Sequence, residues 1–121
     1  MTTIFIIGRI IFGGYFIYSS LGHFFGTKGM AGFAASKGVP MPKLAVVVSG
    51  ILLLLGGVGI ITGFAVKIAL LCLVVFFIFV TPAMHAFWKD TDPMVKMNNK
   101  IQFAKNVAIL GAIIMMLAPF F

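Results

Sequence analysis

Residues 44–64 read LAVVVSGILLLLGGVGIITGF, and residues 66–88 read VKIALLCLVVFFIFVTPAMHAFW. A helix needs about 20 largely apolar residues to cross the ~30 Å hydrocarbon core of a bilayer, so each stretch is long enough to span a membrane. Residues 4–25 and 101–121 have the same character. Because backbone groups in lipid must bond internally, each stretch is predicted to be a helix. The sequence therefore predicts an all-α protein, a four-helix transmembrane bundle in one domain over residues 1–121.

The composition of the 121-residue chain excludes other classes of protein. Hydrophobic residues make up 62% of it and charged residues 9%, against roughly 45–50% and 25% in soluble domains, so a soluble globular fold does not fit. The net charge of +7 comes from lysines scattered beside apolar runs, and nucleic-acid binding is not expected without a basic face. The single cysteine excludes an internal disulfide. Cys72, among Leu and Val, is predicted to be a small buried hydrophobe.

The lysines are unevenly distributed between the connections. The loops predicted over residues 26–43 and 89–100 each contain three lysines, and Lys105 follows just inside the fourth span, whereas the opposite side has Lys67 and Arg9. Cytoplasmic loops carry the excess of Lys and Arg in membrane proteins. The first and third loops are therefore predicted to be cytoplasmic, with both chain termini outside. The first loop is polar and Gly-rich, and its Val39-Pro40-Met41-Pro42 stretch is predicted to resist helix formation, because proline disfavours helical backbone in the residue before it.

Small residues predict where the helices approach closely. Lipid gives helices little hydrophobic gain on association, so close backbone contact holds them together. The second span supplies glycines for such contact, namely Gly50, Gly56, Gly57, Gly59 and Gly63. The fourth span supplies Ala104, Ala108, Gly111 and Ala112. Both sets are predicted to be packing surfaces, within the bundle or in a homo-oligomer.

Polar side chains inside the spans are costly in hydrocarbon and indicate functional sites. Because consecutive spans run antiparallel, one layer of these polar residues is expected near the cytoplasmic ends of the spans. Four of them form the candidate ligand-binding set: His23, His85, Lys105 and Asn106. His23 and His85 are expected at similar depth on parallel helices, which would suit a quinone headgroup or a bis-histidine haem. Haem is the weaker alternative and no metal site is expected, because no carboxylate or thiolate joins the histidines. Each histidine could instead be interfacial and hydrogen-bonded to a loop.

The two cations inside the spans each have more than one interpretation. Lys105 either snorkels to the membrane boundary or is a fixed cation facing the polar layer, with Asn106 bonding across helices. Arg9 is expected to be a structural polar residue that snorkels or binds a helix-end carbonyl, a lipid phosphate or the C-terminal carboxylate. No acidic residue lies in any span, so a carboxylate proton relay is not expected. No catalytic residue is identified, because phosphate-loop, serine-triad and HExxH motifs are missing.

Several short pieces of the sequence resemble the DoxX family of small four-helix membrane proteins. They follow in order along nearly the whole chain: Gly8-Arg9, Gly13-Gly14, Ala35-Ser36-Lys37-Gly38-Val39-Pro40, Gly56-Gly57, Gly63, His85-Ala86-Phe87, Phe103-Ala104-Lys105-Asn106-Val107-Ala108 and Gly111-Ala112. The resemblance implies a multi-pass protein of the bacterial cytoplasmic (inner) membrane. It also implies redox chemistry, as in subunits like those of thiosulfate:quinone oxidoreductase, or oxidative-stress complexes with soluble partners. The chain departs from the family at Leu53, where many members have Glu, and at Gly22-His23, where Gly-x-x-Lys is common.

These features together predict an accessory subunit that binds a hydrophobic, quinone-like ligand for a membrane redox system with a protein partner. An autonomous enzyme is not expected. One alternative is a non-enzymatic membrane scaffold that recruits a soluble partner through its basic loops. A small-solute transporter is the weaker alternative, because so short a chain would need to oligomerise to form a path.

Overall fold

The computed structural model describes residues 2–121, and this part of the chain is helical without a strand. Its five α-helices are α1 (Thr3–Phe25), α2 (Thr27–Ser36), α3 (Pro42–Thr62), α4 (Val66–Met84) and α5 (Pro93–Leu117), and 3₁₀ turns cover Phe87–Lys89 and Ala118–Phe120. Four of the helices, all except α2, are long and apolar enough to cross a membrane. The predicted all-α fold with four spans is therefore confirmed.

The fourth span begins earlier than the sequence analysis placed it. Residues 93–100 were expected in a loop because they are polar, yet α5 starts at Pro93. The Asp92 side chain accepts hydrogen bonds from the backbone N–H groups of Met94 and Val95, and proline at the first helical position needs no N–H partner. Helix α4 ends at Met84, and the third membrane-spanning segment continues through the 3₁₀ turn to Lys89.

The first loop is not wholly irregular, because α2 occupies most of it. This ten-residue helix lies against α3, and it buries Ala31 and Ala34. Packing of this small apolar face outweighs the helix-breaking tendency of its two glycines. The segment between α2 and α3 does stay irregular, since proline disfavours helical backbone in the residue before it. Met41, which precedes Pro42, has a left-handed φ of 48°.

The spanning helices pack in a row rather than a closed ring. α1 packs on α3, α3 on α4, and α4 on α5, while α1 and α5 make at most marginal backbone contact within residues 2–121. The shared core is made of buried apolar side chains from all four: Phe16, Leu53, Ile60, Leu70, Leu73, Phe76, Phe77, Ile113 and Leu117. The end that carries both chain termini and the α3–α4 turn is called the termini end below, and the opposite end is called the loop end.

Glycines of α3 allow close approach of the helices at the termini end. A methyl group at Gly57 would lie 2.6 Å from the Gly13 carbonyl oxygen of α1. Methyl groups at Gly56 and Gly59 would collide with Leu73 and Ala69 of α4. The small-residue stripe of α5 differs: all four of its residues are exposed. Within the described residues 2–121 this stripe packs on no other helix at Gly111, where a methyl group would meet nothing within 4 Å.

Candidate functional site

A cavity of about 800 Å³ lies toward the loop end, and every spanning helix and α2 contribute to its lining. All four residues of the predicted ligand-binding set line it: His23, His85, Lys105 and Asn106. Most of the remaining wall is apolar and comes from α3 and α4, including Leu52, Leu53, Phe76 and Phe77. Its size is within the usual range for small-molecule sites, and a mostly apolar wall with a few polar groups is typical of them.

His23 is held by the backbone of α3. The residue is 7% exposed, and its Nδ1 lies 3.0 Å from the Val46 carbonyl oxygen and 3.0 Å from Ser49 Oγ. Ser49 Oγ in turn donates to the Val46 carbonyl at 2.9 Å. Gly50 makes room for the histidine, because a methyl group there would lie 2.8 Å from His23 Cβ. The bonding partner is therefore a helix rather than the loop considered in the sequence analysis.

Asn106 is the buried polar residue of α5, at 8% exposure. Among residues 2–121 its side chain has no hydrogen-bond partner, so it does not bond across helices there as the fixed-cation interpretation required. Lys105 is exposed, and its Nζ donates to Gln102 Oε1 at 2.7 Å, one turn earlier on the same helix. The cavity therefore receives a buried amide and, at its edge, a lysine already bonded to a neighbour.

His85 belongs to a chain of polar contacts at the loop end of the cavity. Its Nδ1 donates to Asn99 Oδ1 at 3.3 Å, and Asn99 Nδ2 donates to Asp90 Oδ2 at 2.8 Å. Lys37, the residue after α2, forms an ion pair with Asp90 Oδ1 at 3.8 Å. This chain ties α2 to the α4–α5 connection.

The expectation that His23 and His85 lie at similar depth is wrong. The His23 ring centroid is 6.1 Å from that of Phe76, and His85 comes nine residues after Phe76, just beyond the end of α4. A helix rises 1.5 Å per residue, so His85 lies about 13 Å beyond Phe76 along the chain direction of α4, and His23, which contacts Phe76, lies deeper than His85. A bis-histidine haem, which needs both imidazoles on one iron, does not fit this arrangement.

Asn106 is the residue that lies near the depth of His23. Helices α4 and α5 are antiparallel, and His85 contacts Asn99. Asn106 is seven residues further along α5 and is therefore about 10 Å deeper than His85. The cavity thus has a deep polar pair, His23 and Asn106, and a shallow polar chain that starts at His85.

The other predicted residues lie away from the cavity. Arg9 is at the termini end, where its Nε donates to the Ile60 carbonyl at 2.7 Å and its guanidinium covers Gly63. Of the partners considered for Arg9, this is a carbonyl near a helix end. Cys72 is only partly buried, in the middle of α4. In the described chain, residues 2–121, no three His, Cys, Asp or Glu side chains are placed to hold a metal ion.

The residues that orient the two histidines were not predicted from the sequence. Ser49 and Val46 lie in the second span, whose role was interpreted only from its glycines. No spacing in the sequence relates either residue to His23. Lys37 and Asp90 are separated by 53 positions, so their pairing had no local signal. Asn99 could have been found, because Asp92-Pro93 is a helix-start signal that would have placed it on α5.

Comparison with known families gives one finding. The DoxX family profile matches residues 4–86, which is more than half of the 121-residue chain. The match covers α1 to α4 with His23 and His85, and it ends before α5 with Lys105 and Asn106. Comparison with curated proteins and with solved structures gave no match. On the strength of the family match, this multi-pass, membrane-spanning chain belongs to the DoxX family.

Proposed function

We propose that this DoxX family protein binds a quinone in the cavity at its loop end and serves as an accessory subunit of a quinone-linked membrane redox system. The observation that carries the proposal is Asn106. Its amide is not sealed inside the protein but is accessible from the cavity that it lines, and an amide left without a hydrogen-bond partner in a membrane interior that lacks water costs about 1–3 kcal/mol. A bound headgroup offers Asn106 the partner that residues 2–121 do not supply.

The chemistry of the cavity suits an amphipathic ring with an apolar tail. An amide can donate to a ring carbonyl through Nδ2 or accept from a ring hydroxyl through Oδ1. Three exposed residues at the cavity edge, Tyr15, Val75 and Phe79, lie within the spanning parts of α1 and α4. The cavity therefore opens sideways at the depth of the hydrocarbon, where an isoprenoid tail can pass into lipid.

The role proposed is that of an accessory subunit. A quinone exchanges two electrons and two protons. The electrons would come from a partner protein. The role of this chain would be to present the quinone headgroup near the membrane surface.

The loop end is proposed to face the cytoplasm of a bacterium, with the chain in the inner membrane. Five lysines are exposed there: Lys28, Lys43, Lys89, Lys96 and Lys100. The excess of lysine marks the cytoplasmic side of membrane proteins. A reporter fused after Phe121 should therefore read as periplasmic, and a cytoplasmic reading would reverse the orientation.

The test of quinone binding uses Asn106→Leu, which keeps the side-chain size and removes the amide. Mass spectrometry should find quinone in detergent-purified wild-type protein, or after adding a short-chain quinone to it. Asn106→Leu should lower quinone affinity about tenfold, the effect of losing one well-placed hydrogen bond. The variant should keep its size-exclusion profile, because a buried leucine is well tolerated in lipid.

Asn98→Leu is the matched control, since Asn98 is exposed on the same helix. Its quinone affinity should equal that of the wild type. Equal quinone content in wild type and Asn106→Leu, or none in the wild type at saturating quinone, would contradict the proposal.

A scaffold that recruits a soluble partner is the second candidate, and the exposed lysines of the loop end favour it. Such a protein would need no ligand, so the absence of quinone from the wild type would support it. The exposed stripe of α5 is proposed to be a contact surface for a homo-oligomer, because small residues allow close approach between membrane helices. The mass of the detergent-solubilised protein tests that association.

A further inference from the structure

The hydrogen bonds of His23 determine which of its ring nitrogens carries the proton. The Val46 carbonyl oxygen lies 3.0 Å from Nδ1 and can only accept. If Nδ1 were unprotonated, two lone pairs would face each other at this distance. The nearby Ser49 hydroxyl gives the same assignment, because it already donates to Val46 and can therefore accept from Nδ1.

The neutral imidazole has one proton, so with Nδ1 protonated the other nitrogen, Nε2, is an acceptor. Within residues 2–121 no hydrogen bond is made by Nε2, and His23 lines the cavity. A ligand headgroup that reaches His23 must therefore present a hydrogen-bond donor. A quinone carbonyl is an acceptor and would face the lone pair of Nε2, whereas the hydroxyl of a hydroquinone donates to it.

Asn106 does not oppose this selection. It lies near the depth of His23, and an amide bonds to a hydroxyl or to a carbonyl equally well. Discrimination between the two redox forms of the ligand therefore falls on His23. This role is possible because Val46 belongs to a helix and holds the imidazole in one tautomer.

We infer that His23, oriented by the Val46 carbonyl, makes the cavity selective for a hydroxyl-bearing headgroup, the hydroquinone form of the ligand over the quinone form. The inference rests on the proposed function and adds the redox form of the ligand and the residue that selects it. A lipid with a hydroxylated headgroup offers the same donor, so the experiment includes one.

The binding test uses four probes on detergent-purified protein without oxygen: 2-decyl-1,4-benzoquinone, its hydroquinone, the dimethyl ether of that hydroquinone, and phosphatidylglycerol as competitor. The hydroquinone should bind about tenfold more tightly than the quinone and the ether, the cost of one unsatisfied acceptor. His23→Phe should bring the three affinities within about twofold. Ser49→Ala, which leaves the Val46 carbonyl in place, should keep the preference.

The failures of the two proposals can be told apart. If either the quinone or the dimethyl ether binds as tightly as the hydroquinone, the inferred selectivity is wrong and the proposed function stands. If none of the three ring compounds binds, the proposed function is wrong as well. If phosphatidylglycerol displaces the hydroquinone at equal concentration, the donor recognised is a lipid headgroup and the selectivity for hydroquinone is overturned.

A second measurement needs no change at His23. In a His85→Asn variant His23 is the remaining histidine, and its ¹⁵N ring shifts report the tautomer directly. The spectrum should show a protonated Nδ1 and an unprotonated Nε2, and the hydroquinone should shift the Nε2 signal. A protonated Nε2, in a neutral or charged ring, would overturn the inference whether or not any His23 variant folds.

Discussion

The two ends of the helix row use glycine in opposite ways. At the termini end, Gly57 lets α1 and α3 touch through their backbones, and Gly56 and Gly59 admit side chains of α4. At the loop end, Gly50 leaves its space to His23, and the same helices enclose a cavity. One end is therefore closed by direct packing, and the other is kept open and lined with polar groups.

This difference shows how a short membrane protein can hold a site. A binding constellation needs rigid support from elements outside it. Here that support is the close backbone approach of Gly13 and Gly57. Gly13 lies on α1 ten residues before His23, toward the termini end. Because α1 is one uninterrupted helix from Thr3 to Phe25, a contact fixed at Gly13 also fixes where His23 stands.

The largest effect is expected from Gly57→Leu at the closed end. A side chain there must push α1 away, because its first carbon would lie 2.6 Å from the Gly13 carbonyl oxygen and 2.8 Å from an Ile17 side-chain carbon. Overpacking of this kind costs about 3 kcal/mol. The free energy of unfolding in detergent should fall by that amount, and the size-exclusion peak should broaden.

Gly14→Leu is the control for this substitution. Gly14 follows Gly13 on the same helix, and a methyl group there would meet nothing within 4 Å. Its cost should stay below about 1 kcal/mol. Equal losses in Gly57→Leu and Gly14→Leu would mean that the closed end is not where the helix row is held together.

The smallest effect is expected from Asp90→Asn at the open end. The change removes the charge that pairs with Lys37, and partly exposed ion pairs contribute about 0.2–1 kcal/mol. Amide hydrogen exchange in α2 should speed up by no more than about fivefold. The glycine contact between α1 and α3 should keep its protection, and high salt should bring the wild type closer to the variant.

Asp92→Asn serves as its control, because it removes the same charge two residues away. Asn caps a helix about as well as Asp, so α5 should keep its first turn. Exchange in α2 should not change. Two results would contradict a local role for the ion pair. Amide exchange in α2 could stay unchanged in Asp90→Asn, or exchange could rise throughout the spanning helices.

Most of the architecture could be predicted from the apolar runs. Membrane spans depend on length and hydropathy, which are local properties, so all four were found. The glycines of α3 were predicted to be packing positions, because small residues in lipid have few other uses. The helix α2 escaped prediction, since its two glycines disfavour helix and the face of α3 that stabilises it lies elsewhere in the chain.

The candidate site was predicted as a set of residues, and their depths could not be predicted. Buried polar residues are so rare in membrane spans that His23, His85, Lys105 and Asn106 stood out, and all four line one cavity. Their depths depend on where each helix begins and ends. The end of α4 at Met84 and the early start of α5 at Pro93 separated the histidines and brought Asn106 toward His23.

The three-residue turn between α3 and α4 has a consequence for synthesis of the chain. Gly59 and Ala69 are ten residues apart, and Gly56 and Leu73 are seventeen apart, so the contacts between these helices are short in sequence and can close early. Asn106 emerges from the ribosome more than thirty residues after Leu73. The α3–α4 hairpin can therefore insert and pack in the bilayer before α5, which supplies the last wall of the cavity, is synthesised. The site is complete only when α5 packs against α4.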